Sequence, residues 1–146
     1  MNMMSLIESL APLLGRLVLA WYFLTQAYRY ALDWNNTTVL LSMRNIPVPP
    51  VLLAALVAGV VLGSLSILLG YRARAGAAVL FAITVALTIA LHNFWHIRAP
   101  VARNADYDIF ARNVAIAGGL LIVIGLGSGP FAFDNLGPKR GRRKPR

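Results

Sequence analysis

The chain has 146 residues, 58% of them hydrophobic and only 13% charged, with a mean hydropathy of +0.66. A soluble domain of this length carries about a quarter charged residues, so the composition defines a single integral membrane domain and excludes an ordinary soluble enzyme. No cysteine is present, which excludes thiolate nucleophiles and cysteine-ligated zinc, haem or iron–sulfur chemistry; the net charge of +9 is local, since six of the fourteen Lys and Arg residues fall within 139–146.

Residues 1–11 read as a short amphipathic N-terminal segment with Glu8 its only acid. The first span is expected over 12–30, close to the roughly 20 residues a helix needs to cross hydrocarbon. It has no small-residue cleavage site and is read as a retained span, not a signal peptide. Arg16 lies near its start, within snorkelling reach of headgroups. Tyr22, Tyr28, Tyr30 and Trp34 suggest an aromatic belt at its far end. Residues 33–50 form a polar connection that Pro47, Pro49 and Pro50 close.

The second span, 51–69, holds Ala55, Gly59 and Gly63 at four-residue steps, a pattern that lets helix backbones approach closely in lipid. Gly70 to Arg74 is a tight basic turn into the third span, 75–95, so these two spans are expected to form an antiparallel hairpin. On the third helix Thr84, Thr88, His92 and His96 follow at i, i+4 as one stripe. Ala78, Ala82, Ala86 and Ala90 form a second stripe on nearly the opposite side, read as the packing face. Residues 97–108 are too charged for lipid. The fourth span, 109–126, has its own small ladder in Ala111, Ala115 and Gly119, and 135–146 is a disordered basic tail.

Four spans put both termini on one side of a bilayer. Arg16, Arg72, Arg74 and the tail cations share that side; Arg29, Arg44, Arg98, Arg103 and Arg112 lie opposite with Asp33, Asp106 and Asp108. The expected architecture is an all-α, left-handed four-helix transmembrane bundle in the plasma membrane, with both termini cytoplasmic.

Polar groups at membrane depth usually face a bundle interior or a wet cavity. Gln26, Arg29, Thr88, His92, Trp95, His96 and Asn113 fall at similar depth and are the candidate ligand pocket. Arg29 is its anion partner, able to grip an oxyanion or a lipid headgroup by a forked contact. Against this, Arg29 can pair with Asp33 one turn on, Asn113 can serve as a cap or an interhelical contact, and the histidines can bond to neighbouring loops. As metal or haem ligands His92 and His96 are too few, and Asp33, Asp106, Asp108 or a partner would have to complete the site. No catalytic triad, paired-carboxylate site, P-loop or dinucleotide fingerprint is present, so any catalytic residues are unassigned. The tail suits anionic lipid headgroups better than specific nucleic acid. Oligomeric state is not encoded in any motif.

Several short motifs recur in one order: Gly15-Arg16-Leu17, Phe23-Leu24 followed by Arg29, Ile46-Pro47-Val48-Pro49, Leu68-Leu69-Gly70 with Arg74, His92-x-Phe94-Trp95, and Arg112-Asn113 with Gly118-Gly119. Over about 14–134 the chain resembles the DoxX family of small four-helix membrane proteins. It departs from that family at Gln26, where a glycine is usual, and near Val60, where a glutamate is usual. The resemblance implies an accessory subunit of a membrane redox system, with a quinone as the diffusing cofactor or a sulfur compound as ligand, and a membrane or soluble redox partner. Absence of cysteine and of that glutamate favours the other reading, a non-enzymatic scaffold or a carrier of a lipid or another small molecule.

Overall fold

The computed structural model describes residues 3–45, 47–92, 94–127, 129 and 132. The described structure is helical throughout: α1 (Met3–Leu32), α2 (Trp34–Met43), α3 (Pro49–Leu69), α4 (Ala73–Leu91), a 3₁₀ turn (Phe94–His96) and α5 (Pro100–Leu126). Four of these elements, α1, α3, α4 and α5, are long and apolar enough to cross a membrane. The basic tail expected over 135–146 lies outside the described residues.

Several boundaries differ from those the sequence suggested: α1 already starts at Met3, ahead of the span expected from residue 12, and three further differences have a local reason. The 33–50 connection contains a helix, α2, seated by the buried Leu41 and the half-buried Trp34, Thr37 and Thr38. The third span stops being helical at Leu91, because His92 adopts φ −111° and ψ 83°. And α5 starts at Pro100, not near 109: Ala99 is extended and Pro100 occupies the first turn, where a missing N–H costs nothing. Charge over 97–108 keeps that stretch out of lipid without keeping it out of a helix.

The tightest contact is between α3 and α4. Gly70, at φ +67°, ends α3 with its N–H on the Ile67 carbonyl while the Tyr71 N–H reaches the Ser66 carbonyl. The Ser66 hydroxyl then donates to the Tyr71 carbonyl at 2.7 Å and ties the turn down. Beyond the turn the two backbones nearly touch. A Cβ on Gly76 would lie 2.9 Å from the Gly63 carbonyl oxygen, and one on Gly63 would lie 2.8 Å from Leu80 Cγ. This approach sets the rotation of α4. Its buried face is Ala73, Gly76, Ala77, Leu80, Thr84 and Thr88. Ala78, Ala82, Ala86 and Ala90 are consequently exposed on its outer side, as are Ala55 on α3 and Ala115 on α5. The alanine ladder is therefore not the surface that joins α3 and α4: a glycine pair brings the backbones closer than alanine can.

Phe23, Ala27, Val60, Ile67, Ala77, Leu80, Leu120 and Val123 form the core. Val18, Leu62, Ile89 and Ile122 point outward, as lipid-facing side chains do. Contacts run α1 to α3, α3 to α4 and α4 to α5, whereas α1 and α5 barely meet. Between them, toward the termini, lies an apolar groove of about 630 Å³ bordered by Pro12, Gly15, Leu19, Ile122 and Val123. Gly119 faces it, with Leu19 3.8 Å from where its Cβ would be.

Candidate functional site

At the other end of the same parting, the polar residues of three helices converge. The face of α1 repeats every turn and presents Tyr22, Gln26 and Tyr30 at i, i+4 and i+8. Ile109, Arg112 and Asn113 come from α5 at i, i+3 and i+4, while Thr84, Leu87, Leu91 and the chain end at His92 come from α4. Val60 of α3 and Phe23 complete the apolar wall of a cavity of about 100 Å³. That is well below the roughly 300–1,000 Å³ of pockets that enclose a drug-sized ligand. It suits the polar end of a molecule whose remainder lies outside.

The threonine hydroxyls of α4 are already committed. Thr84 donates to the Leu80 carbonyl at 2.7 Å and Thr88 to the Thr84 carbonyl at 2.6 Å, the usual back-bonding of threonine within a helix. The Gln26 amide donates to the Tyr22 hydroxyl at 3.0 Å, which orients its side chain along the wall.

His92 is held by Asp106 of α5. Its Nδ1 lies 2.7 Å from Asp106 Oδ1, an ion pair when the ring is protonated, with both side chains about a fifth exposed (21% and 17%). Asp106 accepting from Nδ1–H fixes the tautomer and leaves Nε2 as the ring's remaining polar atom. Behind it, Arg44 donates to the carbonyls of Ala90 and Leu91 at 3.5 and 3.3 Å, giving the C-terminus of α4 a cationic cap. The turn after His92 is fastened to α5 by Phe94, whose ring meets Tyr107 and Phe110 edge-on at 5.4 and 5.3 Å.

Of the residues singled out in the sequence, Gln26, His92 and Asn113 line this cavity and Arg29, Thr88, Trp95 and His96 do not. Thr88 is buried against its own helix. Trp95 and His96 are exposed on the 3₁₀ turn. Because α4 ends before His92, the two histidines share no helix face. Among the described residues no group of three or more His, Asp or Glu could hold a metal ion. Arg29 is exposed and makes no ion pair with Asp33, whose Oδ1 accepts from the Asn36 amide at 2.6 Å. Thr84 of the stripe on the third span lines the cavity too, and so do Tyr22, Tyr30 and Arg112, which were not among the candidate residues. The signal for the two tyrosines and the arginine is their spacing with Gln26 and Asn113, which the sequence does not separate from that of interfacial membrane anchors.

Four apolar spans and a polar-ended cavity between the first and last of them define an all-helical, multi-pass membrane protein. Within that class the chain belongs to the SURF4 family, whose match covers residues 51–140. No curated protein and no solved structure matches it. The match corrects the DoxX resemblance, since SURF4 is a different family of membrane proteins. The motifs behind that resemblance are two to four residues long and built from arginine, aromatics, glycine and proline. Any helix end at a membrane interface draws on the same residues. A redox-accessory role, and the quinone that came with it, rested on the resemblance and lose their support with it.

Proposed function

We propose that this SURF4-family protein is a non-enzymatic membrane protein that binds an amphipathic small molecule, a lipid or a lipid-like compound, with the polar end of the ligand in the cavity between α1, α4 and α5. The observation that carries this reading is the parting of α1 from α5 at a level where Gln26, Tyr30, His92 and Asn113 line one cavity. Polar groups at membrane depth are costly unless they meet each other, water or a ligand. The small cavity and the neighbouring apolar groove suit a molecule with a compact head and a long apolar part. The distribution of cations favours both termini in the cytoplasm and the cavity on the opposite side of the bilayer. On that side the cations of the cytoplasmic tail, 139–146, would be attracted to anionic headgroups of the cytoplasmic leaflet.

The test is native mass spectrometry of protein purified in mild detergent, comparing the wild type with Gln26→Leu/Asn113→Leu. The reading expects a retained small molecule in the wild type that is lost from the double variant at unchanged helicity and melting temperature. Equal retention in both proteins, or none in either, defeats it.

A further inference from the structure

The cavity's charge goes beyond a general polar ligand. Arg112 of α5 lines it and is exposed, and Arg29 immediately precedes Tyr30 of its wall on α1. Among the described residues neither arginine makes an ion pair: Asp106 pairs with His92, Asp33 accepts from the Asn36 amide, and Asp108, one turn before Arg112 on α5, is exposed. Glu8, the only other acid in the described residues besides Asp108, lies near the start of α1, far from this end of the helix. The remaining polar lining offers donors: the Asn113 amide, the Tyr30 hydroxyl and, when protonated, the imidazole of His92. A guanidinium flanked by neutral donors, above a wall of Phe23, Val60, Ile83 and Leu87, is complementary to an oxyanion carried on an apolar body.

We infer that the ligand is an anionic amphiphile, a phosphate- or carboxylate-bearing lipid, whose oxyanion is held by Arg112 at the cavity mouth while its chain leaves through the opening between α1 and α5. Arg112 is the specificity-determining residue, and Arg29 adds attraction at longer range. The inference rests on the reading of the cavity as a ligand site.

Binding of four probes to the full chain in neutral-detergent micelles tests it: phosphatidylglycerol, phosphatidylcholine, oleate and inorganic phosphate. The expected result is preference for phosphatidylglycerol or oleate over phosphatidylcholine, with little response to inorganic phosphate, which has no apolar part. Whichever of the two anionic amphiphiles binds more tightly tells phosphate from carboxylate. Arg112→Gln should weaken that binding roughly tenfold, equal to about 1.4 kcal/mol. Arg112→Lys, which keeps the charge without the fork, should recover part of the loss. Arg103→Gln, an exposed cation on the same end of the molecule, should change nothing.

Equal weakening by Arg103→Gln reduces the effect to surface charge and overturns the inference. Inorganic phosphate binding as tightly as the lipids overturns the amphiphile. Phosphatidylcholine bound as well as phosphatidylglycerol, and lost only in Gln26→Leu/Asn113→Leu, refutes the anion while leaving the ligand site standing. No binding of any probe to the wild type removes both.

Discussion

Glycines sit in two seams of this bundle and do opposite things. Between α3 and α4, Gly63 and Gly76 let carbonyl oxygen and Cα come so close that a methyl group at Gly76 would meet Ser66 Cβ at 2.6 Å. Toward the parting of α1 and α5, a Cβ on Gly15 would meet nothing within 4 Å, and one on Gly119 only Leu19 at 3.8 Å. The first seam is closed by backbone contact, the second is left with space. A small residue in a membrane helix therefore marks close packing only where a partner comes up to it. Here the chain spends its tightest packing on the central hairpin and leaves its first and last helices apart, which is where the polar cavity lies.

Gly76→Leu should break the comparison most severely, because Ser66 is tied to the turn by its own hydrogen bonds and the Gly63 carbonyl is backbone. Little folded protein is expected on gel filtration. The milder Gly76→Ala should cost about 1–3 kcal/mol in thermal or denaturant unfolding, the usual range for overpacking. Gly63→Ala should cost less than Gly76→Ala, since its nearest neighbour is the Leu80 side chain; the reverse order would show that the closest approach has been misplaced. His92→Ala strips Asp106 of its partner and should destabilise by about 1–2 kcal/mol, with a double-mutant cycle against Asp106→Asn showing strong coupling. Additive effects would mean that the pair does not hold the end of α4 to α5. At the small end, Gly15→Ala and Gly118→Ala, each with open space around the new methyl, should be neutral or up to about 1 kcal/mol stabilising through helix propensity.

The spans were legible in the sequence because hydropathy and length respond directly to a bilayer. Their ends were less so. Charge at Arg103, Asp106 and Asp108 says that a segment lies in water, not that it is unwound, and α5 extends through all three. The hairpin turn was legible from Gly70, but the rotation of α4 was not: alanine ladder and glycine pair both promise close packing, and only the proximity of Gly63 to Gly76 selects one. The same rotation decides the cavity. Depth put Gln26, His92 and Asn113 at one level, whereas azimuth, which depends on tertiary contact, moved Arg29 out and Arg112 in. The stripe from Thr84 to His96 assumed a helix that continues past Leu91, and a break at His92 is not signalled by any proline or glycine there.

Because the chain has no cysteine, the central claim of one closed seam and one accessible cavity can be read with single introduced thiols. The measurement is the labelling rate of Asn113→Cys and Ser64→Cys by a small membrane-permeant maleimide, with and without whichever of phosphatidylglycerol and oleate binds more tightly. Asn113 lines the cavity, and Ser64 is 0% exposed on α3. Fast labelling at Asn113→Cys that the lipid slows, with slow and lipid-independent labelling at Ser64→Cys, is the predicted result. Equal rates at the two positions, or no protection by the lipid, would contradict the account.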